Sequence, residues 1–288
     1  MYSAPFDYYR PTTLAEAAAL LKRHKGSRLL AGGHSLLPAM KLRLAAPKAL
    51  VDIGGIKGLS GIRQRGKLLW IGSTTTHAEI AASPLLAKAC PVLAGAAAQI
   101  GDLQVRNRGT IGGSIAHADP AADLPTVLVA LGATVVARGS RGERKIPAEK
   151  FFVDLFTTAL KPGEIVTAVL VPSYGRGTGG VYLKHRHPAS SYAVVGVAAL
   201  LEVAGGKIGR ARLTIGGVTP RPVRAAAAEE ALVQARADAS AFAAAAARVA
   251  GSLSEPLGDL YASGEFRVHL ATVLAGRALA AAAERARG

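Results

Sequence analysis

Between Thr13 and His24 the apolar residues Leu14, Ala17, Ala18 and Leu21 recur at the spacing of one helix face, behind a Thr12 or Thr13 cap and a Glu16 placed for a capping box. A short apolar strand at 28–31 feeds a glycine-rich turn, 36–44 reads as a helix broken by Pro47, and 49–53 reads as a strand. A hairpin follows at 58–63 and 67–72, around Gln64-Arg65-Gly66. Residues 76–82 and 84–98 pattern as helices, the second with Pro84 at its start, where a missing N–H costs little. Further on come a helix at 121–131, a hairpin of 133–138 with 143–147, and a strand at 165–171. The last third opens with three antiparallel strands at 180–184, 193–203 and 207–215. Helices then occupy 223–237, 239–249 and 266–285, the last with Phe266, Leu270, Val273 and Leu274 on its apolar face. The pattern predicts an α+β chain in three parts. These are a small α/β subdomain at 1–56, a mixed α/β subdomain at 57–174, and a unit at 175–288 with a three-stranded antiparallel sheet and helices packed on one face.

Composition narrows the classes. A chain of 288 residues, half of them hydrophobic, is long enough for a substantial core and two or three subdomains. Gly, Pro and charged residues interrupt each apolar run short of bilayer length, so no transmembrane segment is expected. The start, Met1-Tyr2-Ser3-Ala4-Pro5-Phe6-Asp7, lacks a basic stretch followed by an apolar one, which makes the cytoplasm the default location. Lys plus Arg number 35 against 19 Asp plus Glu, a formal charge of +16. These cations are scattered without interleaved aromatics, which argues against nucleic acid; compositional bias is the first explanation and an acidic protein partner the second. The one cysteine, Cys90, can form no internal disulfide and can hold no iron–sulfur cluster or thiolate zinc site. If the chain moves electrons, any iron–sulfur centre belongs to another polypeptide.

Two glycine runs carry the candidate chemistry. The chain is organised around Gly109 to Asp123, which contains Thr110-Ile111-Gly112-Gly113-Ser114, and upstream stands Ala31-Gly32-Gly33-His34-Ser35-Leu36. Paired glycines admit positive φ and close ligand approach, and their N–H groups, with the hydroxyls of Ser35, Thr110 and Ser114, make an anion-binding concavity. Two such turns are expected to grip one diphosphate from two sides; either one alone reads as a tight turn. Gly175-Arg176-Gly177-Thr178-Gly179-Gly180 has the letters of a dinucleotide fingerprint, but a strand-like stretch follows it, so it reads as a linker. Thr214-Ile215-Gly216-Gly217 leads into prolines and reads as a turn. No G-x-S-x-G elbow, Walker loop or H-E-x-x-H is present. His185 and His187 read as surface histidines, and Asp119 as a helix cap.

Residues 31–38 with Lys41-Leu42-Arg43, then Gln104-Val105-Arg106-Asn107-Arg108-Gly109 and the second glycine run, resemble the two FAD loops of molybdenum-hydroxylase flavoprotein subunits. The likeness is of the carbon monoxide dehydrogenase medium-subunit type, and more distantly of the xanthine dehydrogenase FAD domain. It covers nearly the whole chain, including Lys161-Pro162-Gly163-Glu164-Ile165 and Ser263-Gly264-Glu265-Phe266-Arg267. The resemblance implies FAD held by Ala31 to Leu36 and Thr110 to Ser114, with His117 nearby and Asp123 on the ribityl or ribose hydroxyls. It implies Ile165 or Val166 packed on the ring, Lys184 approaching the flavin, and Tyr192 covering it. For Lys184 an exposed strand lysine is an equal reading, and Tyr192 has the alternative of packing in the sheet. Ser114 stands where many relatives carry Asn, and His117 varies among relatives. The implied function is electron transfer within a heterotrimer, or a dimer of heterotrimers. A large subunit would carry molybdenum cofactor and a small one 2Fe–2S clusters, with NAD⁺, a quinone or oxygen as acceptor. A self-sufficient flavin oxidase and a non-catalytic binding protein of the same fold stay open.

Overall fold

The computed structural model describes residues 2–287, so Met1 and Gly288, the outermost residues of the expected first and third parts, lie outside it. The first part holds β1 (Asp7–Tyr9), α1 (Leu14–Arg23), β2 (Ser27–Leu30), α2 (Leu36–Lys41) and β3 (Ala49–Asp52). Thr13 caps α1 by accepting from the Glu16 N–H, and the Glu16 carboxylate accepts from the Thr12 N–H. The strands form a parallel sheet in the order β1-β3-β2. Three-residue β1 was outside the expected elements. Ala17, Val51, Ile53, Ile56 and Leu59 make a small core that also takes in Ile165 of the second part.

The second part contains β4 (Ile62–Arg65), β5 (Leu68–Gly72), α3 (His77–Ala81), α4 (Pro84–Ala89), α5 (Pro91–Ala97), α6 (Leu103–Arg108), α7 (Ile111–His117) and α8 (Asp123–Ala130). It continues with β6 (Thr134–Gly139), β7 (Gly142–Pro147), α9 (Ala148–Phe151), β8 (Phe152–Asp154), β9 (Thr157–Thr158) and β10 (Ile165–Pro172). The helix expected over 84–98 is two helices, because Pro91 has no N–H to donate and its ring collides with the preceding turn. The five-stranded sheet is antiparallel in the order β4-β5-β10-β6-β7. Every residue of α8 is buried, as an all-round apolar helix requires. Asp119 does not cap α8; its carboxylate accepts from the Ala121 N–H and closes the turn ahead of the helix.

The third part has β11 (Thr178–Arg186), β12 (Ala193–Ala204), β13 (Lys207–Gly216), β14 (Val223–Arg224), α10 (Ala226–Leu232), α11 (Ala239–Ala246) and α12 (Gly264–Arg287). The sheet is antiparallel, and the short β14 makes it four-stranded rather than three-stranded. Thr178 and Gly179, expected in a linker, lie with Gly180 inside β11, where a Cβ on Gly179 would overlap the α12 backbone. Helices cover one face, while Tyr182, Ala198 and Leu200 on the other join the core of the second part. Sheet and second part are therefore packed as one body, which places β11 beside α8.

The fully buried side of α12 is mostly alanine, Ala271, Ala275, Ala278 and Ala282 with Leu279, while of the expected face of Phe266, Leu270, Val273 and Leu274 only Leu270 and Leu274 pack, partly buried, against the same core. Phe266 is exposed, because small residues let the helix backbone close on the strands. By length and mean hydropathy α12 qualifies as a membrane-spanning helix, contrary to the sequence reading, yet its stripe is spent on the sheet. The helix also carries a buried charge. Arg267 donates to the Val194 and Gly217 carbonyls at 3.1 and 2.7 Å and pairs with Asp259 at 2.6 Å. Arg267→Met is expected to strand those carbonyls and cost about 2–4 kcal/mol of stability, readable as a lower urea midpoint. An unchanged midpoint would show that the clamp contributes nothing.

Candidate functional site

The first glycine segment links β2 to α2. Gly33 adopts φ +78°, a left-handed turn that a β-carbon disfavours. Gly32 answers a different need: a Cβ there would overlap the Arg108 carbonyl and crowd Gly109 Cα. Gly32 and Arg108, 76 positions apart, are thus pressed backbone to backbone, which brings the first glycine segment against the junction just ahead of the second. Among the described residues, the N–H groups of Gly32, Gly33, His34, Ser35 and Leu36 donate to nothing in the protein. His34 Nδ1 lies 3.2 Å from the Gly32 carbonyl, and Ala31 packs against the first core.

The second segment differs from its sequence reading. It is the first turn of α7, and Gly112 and Gly113 have no positive φ. The amides of residues 111–114 are consumed within the protein. Ile111 N–H donates to Thr75 O, Gly112 N–H to Ser73 O at 2.8 Å, Gly113 N–H to Thr110 Oγ1 at 3.0 Å, and Ser114 N–H to Thr110 O. Gly112 is needed for proximity, since a Cβ there would sit 2.5 Å from Ser73 O. What α7 offers a ligand is bare backbone at exposed Gly113 and the hydroxyls of Thr110 and Ser114. Among the described residues the Thr110 N–H also donates to nothing, and the other free amide donors come from the first segment.

Asp123 opens α8 and is buried, with both carboxylate oxygens engaged. Tyr182 donates to Oδ1 at 2.6 Å and Lys184 to Oδ2 at 2.9 Å, and Lys184 also donates to the Ser191 carbonyl at 2.9 Å. The Lys184 side chain is 1 % exposed, so it is not a surface strand lysine. Tyr182 and Lys184, two apart on β11, point the same way. Burial raises the Asp123 carboxyl above its ordinary range, opposed by Lys184 and Tyr182, and burial lowers the Lys184 ammonium, opposed by Asp123. Tyr192 brings the third part to the first glycine segment. Its phenol is raised by burial and by the Asp119 charge, and the nearby Ser35 hydroxyl opposes the shift.

The remaining sequence candidates sit differently. Ile165 and Val166 are 2 % and 6 % exposed and belong to different cores, so neither side chain offers a ring much surface. His117 is exposed at the far end of α7, about 7 Å of helix rise beyond Gly112, with its ring 5.1 Å from that of Phe156. His185 and His187 flank Tyr261, and no group of three or more His, Cys, Asp or Glu is arranged for a metal among the described residues. Sequence reasoning missed Tyr182, the Ser73-to-Thr75 segment that anchors α7, and His77. The Tyr-x-Lys spacing on a predicted strand was the available signal for Tyr182.

His77 lies beneath Gly109, its Nδ1 without a partner among the described residues, and burial lowers its pKa to about 4. An unfolded imidazole titrates near 6.5, so between those values only the unfolded chain takes the extra proton. Stability is therefore full above pH about 6.5 and falls as the pH drops towards 4, by on the order of 3 kcal/mol. His77→Leu is expected to flatten that acid limb in urea titrations run across pH; an identical limb in the variant would exclude His77 as its source.

Comparison with known proteins places this geometry. The family described as "FAD binding domain in molybdopterin dehydrogenase" matches residues 4–174, and "CO dehydrogenase flavoprotein C-terminal domain" matches 181–282. The chain is 38% identical to the carbon monoxide dehydrogenase medium chain of Hydrogenophaga pseudoflava over 278 residues, covering 96% of each. It is 36% identical to the nicotine 6-hydroxylase medium subunit of Paenarthrobacter nicotinovorans, covering 96% of this chain and 97% of that one. A solved carbon monoxide dehydrogenase from Hydrogenophaga pseudoflava superposes with TM-score 0.96 at 40% identity, covering 99% of both chains. The residues present suit the cofactor: a diphosphate needs donors without Cβ obstruction, and residues 32–36 supply five free N–H groups at a bare backbone junction. The chain belongs to the FAD-binding medium subunits of the molybdenum hydroxylases, the electron-transferring flavoprotein part of a multi-subunit oxidoreductase.

Proposed function

We propose that residues 32–36 provide the main pyrophosphate grip, with Thr110, Gly113 and Ser114 forming the opposite wall. The observation that carries this is the run of five unpartnered N–H groups pressed against the α6–α7 junction through Gly32. Tyr192 borders the same place through Ser35. Asp123 serves through the buried network that fixes Lys184 and the 187–192 loop, since both its oxygens are already engaged. When bound, FAD supplies the redox chemistry that links one-electron carriers to an external acceptor. The chain's own part is to hold the cofactor and to exclude water with packed walls.

We further propose a cytoplasmic heterotrimer, or a pair of them, in which a large subunit carries molybdenum cofactor and a small subunit carries 2Fe–2S clusters. Cys90 supports this division: it is the sole cysteine, it is buried, and burial pushes its thiol up to about 12, so this chain ligates no cluster. The test is the absorption spectrum of the purified chain after FAD addition and desalting, alone and with its co-expressed neighbours. Flavin bands that survive desalting and are released as FAD on denaturation are expected, with iron and molybdenum only in the co-expressed preparation. No retained flavin in either preparation would overturn the assignment of residues 32–36.

A further inference from the structure

We propose that the groove between the first part and the outer face of the five-stranded sheet is a second nucleotide site, one that takes a nucleoside diphosphate or triphosphate. It encloses about 300 Å³, the lower end of small-molecule cavities, and none of residues 31–36 or 110–114 lines it. Four cations reach it, Lys57, Arg65, Arg138 and Lys145, against one carboxylate, Glu143. None of the four makes an ion pair among the described residues. All four are exposed, so a ligand in the groove can reach each of them. Convergent unpaired cations repel one another, and a bound polyanion turns that repulsion into attraction. They come from three separate stretches of chain, the 57–59 turn, the β4 end and the β6–β7 hairpin, which suits charge spread along a phosphate chain rather than one point anion.

The floor explains the other half of the ligand. Leu59, Trp70, Val136 and Leu170 line it, with the half-buried Trp70 and Leu170 presenting most of the apolar surface. The Arg63 guanidinium lies 5.0 Å from the Trp70 ring centroid and holds the ring in place. Apolar floor and cationic rim together select a flat ring system bearing a diphosphate, a combination that neither a free anion nor an acidic peptide satisfies.

Trp70 is the only tryptophan in the chain, so its emission reports on this groove directly. The experiment titrates the FAD-loaded full chain with ADP, adenosine, pyrophosphate and a glutamate-rich peptide, following tryptophan emission and flavin absorbance together. The expected result is a saturable, salt-weakened change with ADP while flavin absorbance stays constant. Adenosine should give none, and pyrophosphate should bind at least tenfold more weakly. The double variant Arg138→Ala/Lys145→Ala should weaken ADP at least tenfold with full FAD content. Four results would overturn the proposal. They are no saturable ADP response at millimolar concentration, an unchanged response in the double variant, flavin release in step with ADP, and pyrophosphate or the peptide binding as tightly as ADP. Equal pyrophosphate binding would mean an adventitious anion site only.

Discussion

Gly32→Val is expected to abolish FAD retention while leaving most of the fold in place. A valine Cβ has nowhere to go, because it would overlap the Arg108 carbonyl, a backbone atom that cannot rotate away. The two segments must separate by an ångström or more, which displaces the free amide row from the opposite wall. A displacement of that size in a positioned polar site costs about two orders of magnitude. Gly113→Ala makes the internal comparison, since a Cβ there meets only the Thr110 hydroxyl, at 2.9 Å, and a side chain can turn. FAD per chain after desalting should therefore fall steeply for Gly32→Val and modestly for Gly113→Ala. Circular dichroism and a urea midpoint on both variants separate loss of cofactor from loss of fold. Wild-type flavin content in Gly32→Val would show that the contact between the segments does not shape the site.

Lys184→Met should be the most destabilising substitution in the third part. It leaves the Asp123 carboxylate buried against α8 with Tyr182 as its remaining donor, and it also strips a donor from the Ser191 carbonyl. Breaking one side of a buried pair costs about 3–5 kcal/mol, because the surviving charge keeps its desolvation penalty and loses its compensation. The double variant Asp123→Asn/Lys184→Met removes the stranded charge and keeps an acceptor for Tyr182, so it should recover much of that loss. Urea titrations of both variants decide the matter. A double variant no more stable than Lys184→Met would place the energetic cost in the Ser191 contact rather than in the ion pair. The same network joins α8 to β11, so its loss should also loosen Tyr192 beside Ser35 and lower FAD content.

Local patterning decided much of this protein. The cap of Thr13 on Glu16, the apolar runs of β10 and β12, and the glycine turns between strands are each set by neighbours close in sequence, so a window of about ten residues contains their cause. The likeness of the two glycine segments to FAD loops was equally legible, because it rests on residue order. Other features depend on neighbours that sequence distance hides. Gly112 and Gly113 look like a flexible turn until Ser73 and Thr75 accept the amides of residues 111 and 112 and draw the segment into α7. The bulky residues of α12 suggest one apolar face, whereas alanines, with Leu279, take most of the positions buried against the sheet. Lys184 read equally as surface or site; Asp123, 61 positions away, determined that it is buried. Residue types and their order determined the family, the cofactor class and most of the elements. Only the tertiary structure decided which glycines are there for proximity, which amides remain free, and which charges are paired, because each depends on what packs across from it.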